Sequence, residues 1–198
     1  SSFANENAML LTAIWIAGIF LLIAKQKKGM VSSKEKTRNS MFLGGCFVFG
    51  VTAIAGKAGV SAVCDLGIYL PEMTGKIEAV PIAAEMTSMQ WMALGWWGIA
   101  LIFTFFLLWE LTNGMSVVLF TYLGAAACEV IMVLSPTIYS SGERVFFVTG
   151  ILLTGILLLL LESLQREKKD LWFAGAVTLL GLGNFLIQIP QLMGLLAG

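Results

Sequence analysis

The chain has no histidine in its 198 residues. That removes imidazole as a haem or metal ligand and as a general base. Cysteine is nearly as scarce: Cys46, Cys64 and Cys128 stand far apart, with no Cys-x-x-Cys spacing. They read as small hydrophobes in apolar surroundings rather than as thiol–disulfide machinery. Charged residues make up 12% of the chain, against about 25% in an ordinary soluble domain. The formal net charge is zero, so nothing points to nucleic acid as a partner. What fills the space is apolar: 58% of residues are hydrophobic and the mean hydropathy is +0.89.

The apolar residues fall into continuous runs of roughly 17–25, the length a helix needs to cross a bilayer; barrel strands would alternate over about 10 residues instead. The expected fold is therefore an all-α integral membrane protein of about six transmembrane helices, forming one domain over residues 1–198. The helices are expected at Ala8–Ala24, Met41–Val63, Met89–Trp109, Met115–Ser135, Val145–Leu161 and Leu171 to about Ile189. Between the first two, residues 25–40 hold Lys25, Lys27, Lys28, Lys34, Lys36 and Arg38 against Glu35 alone. An excess of basic residues in a short loop marks the cytoplasmic side. Both termini are then expected on the outer side. The positive charges follow the first apolar run rather than precede it, which is not the layout of a cleaved secretory signal. The segment 64–88 becomes a long acidic outer loop, broken at Pro71, Gly75 and Pro81, and residues 135–144 become an outer hairpin. Gly44, Gly45, Gly50, Gly56 and Gly59 give the second helix small faces for close packing. Trp91, Trp96 and Trp97 near one end of the third helix, and Trp109 at the other, suit aromatic belts.

Against this apolar background a few charges stand out. Lys57, Glu129 and Arg144 all fall near the outer ends of their helices, and Glu143 precedes Arg144 in the hairpin. A charge inside the hydrocarbon costs about 2.5–3.5 kcal/mol on insertion scales, so such groups face protein or a wet cavity. Two readings stand. The charges converge on an outward cavity for an anionic head group, with Arg144 clamping a phosphate and Glu129 orienting it; or they form an ion pair that only fixes helix packing. Asn5-Glu6-Asn7 suits the cap of the first helix. Met86, Met89 and Met92 recur every third residue, which suits interfacial packing more than Cu(I) binding.

Two of these segments resemble a known family. Ser135-Pro136 followed by Glu143-Arg144-Val145-Phe146-Phe147 is similar to an outer-face hairpin in bacterial polytopic glycosyltransferases of the GT-C type, the O-antigen glucosyltransferase-like branch and its relatives. Asn5-Glu6-Asn7 at the mouth of the first helix resembles an Asn-Glu-Asn-Thr motif of the same proteins, with Ala8 in place of the Thr. The resemblance implies the membrane half of such an enzyme, in a bacterial cytoplasmic (inner) membrane, using a polyprenyl-phosphate-linked sugar on the non-cytoplasmic face. Arg144 and Glu143 would face the phosphate, Asn5 and Glu6 would line the rim, and Glu129 and Lys57 would complete the substrate site. No metal or organic cofactor is expected. The early outer loop that carries the family's catalytic acid has no counterpart here, and Gly56-Lys57-Ala58 departs from the family's Pro-Gly-Asn ending. The competing expectation is a non-catalytic integral subunit of a larger secretion, transport or respiratory complex, with other membrane subunits as partners. A transporter would show half-repeats or broken helices, and neither is visible.

Overall fold

The computed structural model describes residues 7–27, 33–57, 88–134 and 138–182. All the regular structure among them is helical. In chain order the helices are α1 (Ala8–Lys27), α2 (Ser33–Lys57), α3 (Ser88–Leu111), α4 (Ser116–Leu134) and α5 (Ile138–Arg166), then α6 (Asp170–Leu182). Among the described residues four spans, Ala8–Lys27, Ser33–Gly56, Trp91–Leu111 and Phe147–Arg166, are long and apolar enough to cross a membrane. The chain is a helical integral membrane protein.

Several helices run further into the polar segments than the sequence reading has them, while α4 starts at Ser116 rather than Met115. α2 starts at Ser33, so most of the basic stretch is helical. Lys, Glu and Arg are good helix formers, and a helix does not stop where the bilayer does. α5 starts at Ile138, seven residues before the expected Val145, so Glu143 and Arg144 lie on helical turns rather than in an open hairpin. It also continues to Arg166, where Arg166 reaches Glu162 one turn back at 2.5 Å. The long loop at 64–88 lies outside the described residues but for Ser88, the first residue of α3.

Two tight reversals are built the same way. The Gly114 amide donates to the Trp109 carbonyl at 3.0 Å, and the Lys169 amide to the Leu164 carbonyl at 3.0 Å. These six-residue closures satisfy carbonyls that a helix end leaves unpaired. They need left-handed residues, supplied by Asn113 (φ 51°) and Gly114 (φ 75°) in the first and by Lys168 (φ 54°) in the second.

α1 is the axis of the bundle. It packs on α2, α3 and α5, while α4 lies along α5. Of its membrane window 56% is buried, against 28–33% for the other three spans. Leu11, Ile14, Trp15, Ala17 and Leu22 are fully enclosed. At Gly18 the three helices meet: a Cβ there would lie 3.1 Å from a Leu107 methyl of α3 and 3.6 Å from Cys46 Sγ of α2. Of the α2 glycines, Gly45 serves close packing, since a Cβ would run into the Phe103 ring, whereas Gly44 and Gly50 have open space beside them. Around that crossing Phe49 is an aromatic hub, with ring centroids 5.7 Å from Trp15, 5.1 Å from Trp96 and 5.1 Å from Phe103. Trp96 and Trp97 thus belong to the core, Trp97 being only 8% exposed. Trp91 and Trp109 remain 54% exposed at the two ends of α3, about 27 Å apart at 1.5 Å per residue, close to the thickness of a hydrocarbon layer.

Replacing Gly45 by Ala forces the Phe103 ring from its place and should lower stability by about 1–3 kcal/mol. Gly44→Ala, one residue away, should be neutral or stabilising by up to about 1 kcal/mol, because alanine is the better helix former. Thermal unfolding in detergent compares the two, and equal effects would refute this packing.

Candidate functional site

The bundle has two ends, and they differ. The ends of α1, α3 and α5 and the starts of α2, α4 and α6 form the basic-loop end. The opposite end holds Asn7, Lys57, Glu129, Glu143 and Arg144.

At that opposite end the Asn7 carbonyl accepts the first α1 bond from the Leu11 amide at 3.0 Å, so Asn7 occupies the N-cap. It is 2% exposed. Its Oδ1 lies 3.6 Å from where a Cβ of Gly150 would stand on α5. Asn5 and Glu6, the other members of the expected rim, lie outside the described residues. α4 and α5 pack side by side, and a Cβ on Gly124 would sit 3.9 Å from Leu152 Cδ1. Counting along the two antiparallel helices from that contact places Glu129 level with Phe147, about 4.5 Å in depth from Arg144. Glu143 and Arg144 are therefore on the helix next to that of Glu129, within about a turn of its depth. Lys57 is the last residue of α2, at the same end of the bundle. α2, however, packs chiefly on α1 and also meets α3, so Lys57 comes from the far side of α1. The helix pairing that the structure provides is α4 with α5, with α1 beside α5.

Below this end the interior carries a short file of satisfied polar groups. The Trp15 indole donates to Thr104 Oγ1 at 2.9 Å, Thr104 Oγ1 donates to the Ala100 carbonyl at 2.7 Å, and the Tyr122 hydroxyl donates to the Leu101 carbonyl at 2.9 Å. A gap of about 10 Å³ lies among Leu11, Leu101, Tyr122, Ala125, Ala126, Thr149 and Leu153, room for about one water and for no organic ligand. The Thr149 hydroxyl, 1% exposed, has no hydrogen-bond partner among the described residues. Deeper still, Leu22, Leu107, Leu108, Leu160 and Leu164 close the interior.

At the basic-loop end stands a group that the sequence reading passes over. Glu110, at the end of α3, is 13% exposed and bridges two cations. Lys25 Nζ of α1 lies 2.7 Å from its Oε1, and Arg38 Nη2 of α2 lies 3.0 Å from Oε1 and 2.9 Å from Oε2. Glu35 adds a longer contact to Arg38 at 3.8 Å. The signal is present in the sequence: Glu110 is the one acidic residue where α3 meets its following turn, and that turn faces the most basic stretch of the chain. By composition the turn stands out only for lacking basic residues. Its carboxylate supplies the electrostatic tie to the loop instead.

Comparison with protein-family models, curated proteins and solved structures finds no match to this chain. What fold and site define is a class: a helical polytopic membrane protein with a charged, three-helix clasp at one end and an asparagine-capped α1–α5 contact at the other.

Glu110→Gln removes the charge that both cations share. The cost should be about 1–3 kcal/mol, between the values for exposed and for buried pairs. Lys25→Met combined with Glu110→Leu should recover part of it, because the less exposed cation goes with the carboxylate, while the half-exposed Arg38 keeps solvent and Glu35. Thermal unfolding of the single and double variants reads this out; additive losses would contradict it.

Proposed function

We propose that the end away from the basic loop receives the phosphate of a lipid-linked sugar, as the resemblance to GT-C glycosyltransferases implies. In this reading the basic loop is cytoplasmic, both termini are outside, and the membrane is a bacterial inner membrane. The observation that carries it is the α4–α5 register, which sets Glu129 about one turn in depth from Arg144 on adjacent helices. A guanidinium offers a phosphate paired, planar hydrogen bonds, and a carboxylate nearby fixes its orientation. The burial of Asn7 against α5 supports the reading, since it ties the amino-terminal motif to the helix that carries Glu143 and Arg144. Lys57, coming from beyond α1, adds positive potential at the same end rather than a direct clamp. The leucine block below favours binding at one face over passage through the bundle.

A second reading, a non-catalytic subunit of a larger membrane assembly, is favoured by a different observation. Only 28% of the α5 window is buried, and Phe147, Val148, Ile151 and Leu158 are exposed apolar side chains, with exposed Thr154 between the last two. Such a face offers a neighbouring helix an apolar surface to pack on.

Photo-crosslinking with a polyprenyl-phosphate analogue in nanodiscs tests the first reading. Arg144→Ala should cut labelling by about tenfold or more, roughly the worth of a hydrogen-bonded charge pair, and Arg144→Lys should keep part of it because the charge survives without the planar fork. Labelling that is indifferent to both changes refutes phosphate capture there. Stoichiometric copurification of a membrane partner in mild detergent would instead support the subunit.

A further inference from the structure

The basic-loop end holds unmet hydrogen-bonding capacity beside its clasp. Asn39 is 0% exposed, yet neither its Nδ2 nor its Oδ1 has a partner among the described residues, and Gln26 Nε2 is likewise buried and unpaired among them. A buried, unsatisfied polar group costs about 1–3 kcal/mol, so a cluster of them calls for a physical reason.

Their location follows from the helix register. Gly18 faces Cys46 across the antiparallel α1–α2 contact. Two turns on in opposite directions, Lys25 stands level with Asn39, and Asn39 shares the α2 face of Cys46. On α3, Glu110 lies one turn beyond Leu107, the residue that meets Gly18. Asn39 and Gln26 are therefore the immediate chain neighbours of Arg38 and Lys25, at the same depth as the Glu110 carboxylate. The charges there are Lys25, Lys27, Lys34, Lys36 and Arg38 against Glu35 and Glu110. Ammonium, guanidinium and the two amide nitrogens present many donors, and Glu110 engages only a few. The excess of donors, the net positive charge and the half-exposed Lys25 and Arg38 side chains (38% and 51%) suit an incoming anion with several oxygens. The site also sits at the end of three membrane spans, at the depth of lipid head groups. Basic pockets between helices there hold phosphate-bearing heads.

We propose that the α1–α2–α3 junction at the basic-loop end binds a phosphate group, with Lys25 and Arg38 at its entrance and the Gln26 and Asn39 amides behind them. This site is separate from the one at the opposite end and does not depend on it.

The test uses the full chain in detergent. Native mass spectrometry measures retention of phosphatidylglycerol against diacylglycerol, which has the same tails and no phosphate, and a parallel arm adds inorganic phosphate as competitor. Asn39→Leu is the informative variant: it keeps the branched outline of the side chain, leaves the Glu110 clasp intact and removes the unpaired amide. Phosphatidylglycerol should be retained in preference to diacylglycerol, and Asn39→Leu should weaken that retention by about tenfold. Displacement by inorganic phosphate at low concentration assigns the site to the free ion; persistence of the lipid assigns it to the head group. Either supports phosphate binding. Equal retention of the two lipids with no effect of inorganic phosphate on stability overturns it. So does an Asn39→Leu protein that is merely more heat-stable with unchanged retention. Arg144→Ala, at the other end, should leave this retention intact.

Discussion

The structure depends on one close approach, the contact of α2 and α3 with α1 at Gly18. In a bilayer there is no hydrophobic effect between helices to draw them together, so packing at small residues carries the association. With only a hydrogen at Gly18, a Leu107 methyl and Cys46 Sγ both reach the α1 surface. Because helices are rigid over this distance, that contact sets which residues meet further along. Toward one end it brings Lys25, Arg38 and Glu110 to a common point. Toward the other it sets Trp15, Phe49 and Trp96 into one aromatic group and lets the Trp15 indole find Thr104. The α4–α5 pair then closes on the free side of α1, with Asn7 against Gly150.

This division gives the two ends different chemistry. The basic-loop end is tied by charge across three helices, and its carboxylate is shielded while its cations are partly exposed. The opposite end is tied by an N-cap and a helix contact. Between them lies a leucine block, so neither end communicates with the other through a polar path among the described residues.

The apolar runs made the helical membrane fold legible, because run length alone selects a spanning helix. The basic stretch falls at one end of the bundle, but its helical character was hidden: charge composition reports where the bilayer stops and not where the helix does. Among the five glycines of the second helix, pattern could not say that Gly45 meets a ring while Gly44 meets nothing, since that depends on rotation about the helix axis. The same holds for Trp96 and Trp97, which read as an interfacial belt and lie in the core. Lys57 shares a depth with Glu129 and Arg144 in the sequence, but depth is one coordinate and lateral position comes from packing order. Glu110 stands at a helix end, where a charge is ordinary in sequence; its three-way role arises only where helices from different parts of the chain converge.

The register at Gly18 is open to a direct measurement, the oxidation of a Gly18→Cys protein in a background carrying Cys64→Ala and Cys128→Ala. A Cβ at that position lies 3.6 Å from the native Cys46 Sγ, close enough for a disulfide after a small adjustment. A membrane-permeant oxidant should join the introduced thiol to Cys46 within the monomer, detected by mass spectrometry of the digested chain. Failure to form that bond, or formation only between two molecules, would contradict the packing from which both ends of the bundle take their positions.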